Sequence, residues 1–126
     1  MTNVVTNIVL AGFMATGKTT VGRAVAAALG WEFVDTDDLI QQAAGRPIPD
    51  IFAQESETGF RARERQAVAL AAARDQAVIA LGGGALLDAV NRQAVEARGL
   101  VICLDADERT ILQRLGSAGA SSSRPL

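Results

Sequence analysis

Apolar residues along this chain fall into two alternating rhythms. Short runs of consecutive apolar positions, "TNIVLA" (Thr6 to Ala11), "EFVD" (Glu32 to Asp35), "AVIAL" (Ala77 to Leu81) and "LVICLD" (Leu100 to Asp105), read as four strands, each covered on both faces as parallel strands are. Between them lie longer alanine-rich segments of helical period. Lys18 to Leu29 predicts a helix closed by Gly30, and Asp38 to Ala44 a second, capped by Asp38 and closed by Gly45, since glycine takes the left-handed residue after a helix without strain. Pro49 to Arg74 predicts two helical pieces broken at Gly59, and two further helices open on Asp88 and Asp107 as N-caps. Strands alternating with helices predict an α/β protein: a largely parallel sheet with helices on both faces.

Composition limits the chemistry available to such a fold. The 126 residues make one domain's worth of chain, long enough to bury roughly two thirds of its unfolded surface. With no histidine in the sequence, a histidine base and the commonest transition-metal ligand are excluded, leaving carboxylates, Lys, Arg, hydroxyls and backbone amides. The single cysteine, Cys103, falls within an apolar run and reads as a small core residue, with no disulfide possible. The opening "MTNVVTNIVLAGF" has neither the basic start nor the long apolar stretch of a signal peptide, so a cytoplasmic location is the default expectation. Twelve basic against fourteen acidic side chains give a net charge of −2, which supplies no general field for nucleic acid or anionic membrane. Any anionic ligand has to be caught locally.

One such catch follows the first strand. "GFMATGKTT" fits G-x-x-x-x-G-K-[ST] with Gly12, Gly17, Lys18 and Thr19, and a helical segment begins at once. In this arrangement successive backbone N–H groups converge on the phosphates, the helix N-terminus adds partial positive charge, the lysine reaches the β- and γ-phosphates and the threonine hydroxyl meets Mg²⁺. A nucleoside triphosphate with Mg²⁺ is the expected ligand.

Three further features bear on what receives the phosphate. "VDTDDLI" places Asp35 and Asp37 two residues apart at the carboxyl end of the second strand, the end where open α/β sheets bind ligands; that strand is expected beside the phosphate-loop strand, with one carboxylate near the magnesium shell and the other meeting a hydroxyl. "GGG" at Gly82 to Gly84 leaves bare backbone directly after the third strand, open to a small molecule. "ETGFRARE" carries Arg61 and Arg63 at helical spacing with Glu57 and Glu64 nearby. One of these arginines suits a bidentate clamp on a carboxylate, whereas Arg63 and Arg65 read as solvated.

Taken together, "GFMATGKTTVGRAVAAALG", "DTDDLI", "GRPIPDIF", "FRARE" and "LGGGA" resemble the shikimate kinases, in order and in separation, from about Ile8 to the last residue. The resemblance implies a three-layer α/β/α P-loop kinase fold and transfer of the ATP γ-phosphoryl to the 3-hydroxyl of shikimate, on the route to chorismate and the aromatic amino acids. It implies ATP contacts from Gly12, Ala15, Thr16, Gly17, Lys18, Thr19, Thr20 and Arg124, and magnesium contacts from Thr19 and Asp35. Shikimate would be held by Asp37, Arg61, Gly82, Gly83 and Gly84, with Glu64 orienting Arg61 and with Lys18, Asp37 and Arg124 taking part in the transfer. Ser56 and Gly59 depart from the residues usual before "FR" in that family.

The same resemblance bears on the chain's end. "RPL" at Arg124 to Leu126 matches a lid phrase whose arginine closes on the ATP phosphates, after a Gly/Ala/Ser-rich stretch from Gly116 to Ser123. The expectation is one kinase domain over 1–126 that stops within its lid (116–126), four strands being present and a fifth missing. A chain of that kind is expected to expose the edge of its "LVICLD" strand and to self-associate or be marginally stable, whereas a full-length relative is expected to be a monomer. Two other readings stand beside the shikimate kinase: a fragment that binds ATP or phosphate without turnover, and a kinase of another small hydroxy acid such as gluconate.

Overall fold

A computed structural model describes residues 5–12 and 17–104. Among these residues four strands and four α-helices follow in the order β1 (Asn7–Gly12), α1 (Lys18–Leu29), β2 (Glu32–Asp35), α2 (Thr36–Ala44), α3 (Ile48–Ala72), β3 (Ala77–Ala80), α4 (Ala89–Glu96) and β4 (Gly99–Leu104). A single turn of 3-10 helix at Ala85–Leu87 precedes α4. The strands form one sheet in the order β2-β3-β1-β4, with every pairing parallel. The expected α/β architecture is therefore present. The helix expected from Asp107, the phosphate-loop residues Ala15 and Thr16, and the lid with Arg124 lie outside the described residues.

Successive side chains of the two central strands point to opposite faces and feed separate cores. Val9 and Ala11 of β1 join Ala77 and Ile79 of β3 in a cluster with Val68 and Ala71 of α3 and Val95 of α4. On the other face Leu10 and Val78 pack with Ala26 of α1, flanked by Val21, Val25, Trp31 and Phe33. A third cluster, Ile40, Ile51, Phe60 and Ala67, joins α2 to α3. Helices thus cover both faces, and the phosphate-loop strand runs through the middle.

Four local expectations are corrected. The second strand is not beside the first, because β3 lies between them. Helix α2 begins two residues early and is capped by Asp35, whose side chain accepts from the Asp37 N–H; Asp38 stands inside the first turn. The break in α3 falls at Ser56 (φ 66, ψ −179) and not at Gly59. Gly59 is needed for space instead, since a Cβ there would lie 2.5 Å from the Cβ of Glu55 on the preceding turn. Finally, Cys103 is exposed. Among the described residues β4 pairs only with β1, and Leu100 and Ile102 are exposed beside Cys103, so its apolar run does not mark a strand covered on both sides.

Candidate functional site

The carboxyl ends of β1, β2 and β3 open toward one rim of the sheet, and the sequence features gather there. At the end of β1 the chain leaves Gly12 with φ 140 and re-enters α1 through Gly17 in the left-handed region (φ 83, ψ 24), a bend that glycine takes without strain. Among the described residues no side chain caps α1, which suits its first N–H groups to an anion. Lys18 Nζ donates to the Gly12 carbonyl at 2.5 Å, spanning the loop. Burial lowers the Lys18 pKa, opposed by the nearby charges of Asp37 and Asp35. Thr19 and Thr20 are exposed on the first turn of α1.

Although β3 separates β1 from β2, the β2–α2 junction carries its carboxylates to the lysine. Asp35 accepts from the Asp37 N–H at 2.8 Å through Oδ1. Its pKa is raised, chiefly by burial and against that backbone hydrogen bond. Asp37, in the first turn of α2, is raised as well: burial is the largest cause, followed by the negative charges of Asp35 and Glu64, with Lys18 pulling the other way. Asp37 and Asp35 therefore share the charge of Lys18, while Glu64, beside Asp37, is paired with Arg61; two carboxylates against one ammonium group suit a cation or a proton.

Helix α3 brings the arginine. Its Nη1 donates to Glu64 Oε1 at 2.7 Å and its Nε to Glu57 Oε2 at 3.5 Å, the i,i+3 and i,i+4 neighbours on the same face. The guanidinium lies 5.2 Å from the Phe60 ring centroid. Glu64 is almost wholly buried, and its Oε2 has no hydrogen-bond partner among the described residues. These contacts, the Glu64 hydrogen bond first, raise the Arg61 pKa further, so the guanidinium stays charged. Arg63 and Arg65, read from sequence as solvated, are both ion-paired: Arg63 grips both oxygens of Glu55 at 2.9 Å each, and Arg65 meets Asp88 at 2.5 Å. Arg63 reaches back across a break in the same helix to Glu55, and Arg65 reaches Asp88 at the start of α4.

The three glycines close the arrangement. A Cβ on Gly82 would lie 2.8 Å from Asp37 Oδ1 and 3.2 Å from Glu64 Oε2; one on Gly84 would lie 2.9 Å from Arg61 Nη2. A Cβ on Gly83 would meet, among the described residues, the Gly12 carbonyl at 3.9 Å. The bare backbone is thus a consequence of close approach: any side chain at 82 or 84 occupies space held by a carboxylate or by the guanidinium. Outward from Gly84 runs an open cleft of about 530 Å³ lined in part by Arg61, Arg65, Leu87 and Asp88. Sequence reasoning missed Thr36, wholly buried between Asp35 and Asp37; a hydroxyl between two acids was its only signal.

A glycine-bounded phosphate loop on the central strand of a parallel sheet, with helices on both faces, defines the P-loop kinase class of α/β protein. Within that class, a family model for shikimate kinase matches residues 14–126. A shikimate kinase from Symbiobacterium thermophilum is 53% identical over 120 residues, which span 95% of this chain and 68% of the relative. Among solved structures, a shikimate kinase from Acinetobacter baumannii in complex with shikimate superposes with a TM-score of 0.80 at 43% identity, covering 90% of this chain and 63% of that one. A gluconokinase from Sinorhizobium meliloti, at 20% identity and a TM-score of 0.50, shares the fold alone. The chain belongs to the shikimate kinase family.

Proposed function

We propose that this chain carries out ATP-dependent phosphorylation of the 3-hydroxyl of shikimate. The observation that carries the reading is the pocket in which Asp37 faces Gly82 and Arg61 faces Gly84, on the same rim as Lys18. A carboxylate and a fixed guanidinium across bare backbone match a ring bearing hydroxyls at one end and a carboxylate at the other. Arg61, held by Glu64, clamps the shikimate carboxylate. Asp37 receives the 3-hydroxyl and accepts its proton as the oxygen bonds to the γ-phosphorus and the bridging oxygen leaves with ADP. Its raised pKa favours that proton transfer. Gly82, Gly83 and Gly84 line the ring.

On the nucleotide side, Gly12, Gly17, Lys18, Thr19 and Thr20 hold the phosphates together with Ala15, Thr16 and Arg124. The donors near Lys18 fit Mg²⁺: an exposed Thr19 hydroxyl and the half-buried Asp35 carboxylate are hard oxygen ligands of the kind that ion accepts alongside phosphates and water. Bound there, Mg²⁺ would neutralise charge developing on the β- and γ-phosphates. Lys18 and the α1 N-terminus contribute positive charge to the same oxygens.

The test is release of ADP from ATP by this chain with shikimate or gluconate as acceptor, joined to calorimetric titration of each. Shikimate-dependent ADP release is expected. Nucleotide binding and shikimate binding without ADP would favour the non-catalytic alternative, and turnover of gluconate with no response to shikimate would sink the substrate assignment.

A further inference from the structure

Thr36 is the first residue of α2 and is wholly buried. Its hydroxyl lies 3.3 Å from the Ala80 carbonyl, to which it donates, and 3.3 Å from the Gly82 N–H, from which it accepts. Both partners belong to the exit of β3, so a single side-chain oxygen bridges the residues on either side of Leu81. That leucine's own N–H is bonded to Leu10 of β1 at 2.9 Å. The exit of β3 is therefore tied to β1 by backbone and to the start of α2 by Thr36. Gly82 is buried, and a buried amide without an acceptor is costly.

We infer that Thr36 is a positioning residue: by joining the Gly82 amide to the start of α2, it fixes the substrate carboxylate Asp37 against the glycine backbone. Asp37 is the next residue in the same helical turn, and its Oδ1 stands 2.8 Å from the place a Gly82 Cβ would take. With so little clearance, a shift of α2 relative to β3 either drives Asp37 into the backbone or withdraws it from the pocket. Core filling alone does not account for the residue. Valine would fill the same volume with about the same helix propensity; the hydroxyl is what valine lacks. The inference rests on the assignment of Asp37 to shikimate made above.

Calorimetric titration of shikimate and of a nonhydrolysable ATP analogue into the wild type, Thr36→Val, Thr36→Ala and Thr36→Ser tests it, together with hydrogen exchange at the Gly82 amide. Thr36→Val and Thr36→Ala are expected to weaken shikimate about tenfold while changing the ATP-analogue affinity by less than about twofold, and Thr36→Ser to stay within about twofold of wild type for both. The Gly82 amide should exchange faster in Val and Ala and stay protected in Ser. Wild-type shikimate affinity in Thr36→Val, equal losses in Val and Ser, or unchanged Gly82 protection would overturn the positioning role. A wild-type chain that bound no shikimate would instead overturn the functional reading, with Gly82 exchange still deciding whether Thr36 sets this backbone.

Discussion

Arg61 donates to one oxygen of Glu64 at 2.7 Å, while the other oxygen of the same buried carboxylate, without a partner among the described residues, faces Gly82 and Asp37. Glu64 thereby acts on both ends of the proposed shikimate pocket: it orients the guanidinium and adds negative charge beside Asp37. Glu64→Gln keeps an acceptor for Arg61 and removes the charge. Losing a negative neighbour makes Asp37 easier to ionise, so its pKa falls and the acid limb of the pH profile for shikimate phosphorylation should move to lower pH. Glu64→Ala frees Arg61 as well, and shikimate affinity should drop about tenfold or more. Titrations at several pH values separate the two effects; an unmoved acid limb in Glu64→Gln would contradict the coupling.

Gly84→Ala tests the other end. Gly84 has φ −106 and ψ 9, a conformation open to alanine, so the cost is steric and local: the new Cβ would lie 2.9 Å from Arg61 Nη2 and 3.2 Å from Nη1. The far end of an arginine can swing away, which leaves the fold intact but moves the clamp. The variant should melt within about 2 °C of wild type and bind shikimate about tenfold more weakly, with ATP-analogue affinity unchanged. Equal weakening of both ligands would point to a general distortion.

How far the sequence foretold this site depends on the range of the interactions involved. Helix α1 ends at Gly30 and α4 begins on Asp88 as expected, because caps are settled by a residue and its near neighbours. Asp37, Arg61 and the glycines could be marked as candidates by residue type, and the structure brings them together. Their mutual fit was not legible, since Gly82 meets Asp37 and Glu64 only once β3 lies beside β2. Arg63 was misread for the same reason: its partner Glu55 is eight residues away, a distance that a straight helix would not close but a break at Ser56 does. Cys103 reads as a core residue from its apolar run although the same strand is expected to have a free edge, because residue type alone does not say which face of a strand the helices cover.

Asp37 carries a cost that its removal should reveal. A carboxyl whose folded-state pKa is raised holds its proton more tightly in the folded chain, so folding is favoured as pH falls through that raised value toward the unfolded one, and disfavoured above it. At pH 7 Asp37→Asn should therefore stabilise the chain and raise its Tm. The difference should shrink on acidification, as the wild type takes up the proton that Asn mimics. Shikimate phosphorylation should be lost in the same variant. A lower Tm for Asp37→Asn at pH 7 would contradict the electrostatic account of this site.

Ser56 concentrates backbone strain in α3. Its φ of 66 with ψ of −179 falls in a region populated almost only by glycine, at a cost of about 1–3 kcal/mol for other residues. The flanking side chains hold the break in place: Arg63 first, then Arg46, grip Glu55 and keep its pKa down at about 2, and Glu57 meets Arg61 one turn on. Ser56→Gly relieves the strain but gives back about 0.5–1 kcal/mol to the unfolded chain, for a net gain of about 1 kcal/mol, or roughly 3–6 °C in Tm. Ser56→Ala keeps a Cβ in the same conformation and should gain nothing. Thermal melts of the two variants decide the matter: if alanine stabilised as much as glycine, side-chain removal and not backbone strain would be the cause. Acid titration offers an independent check, because stability supplied by the Glu55 pairs is fully present above its unfolded value near 4.5 and is lost as pH falls toward about 2; Glu55→Gln should flatten the melting profile across that window.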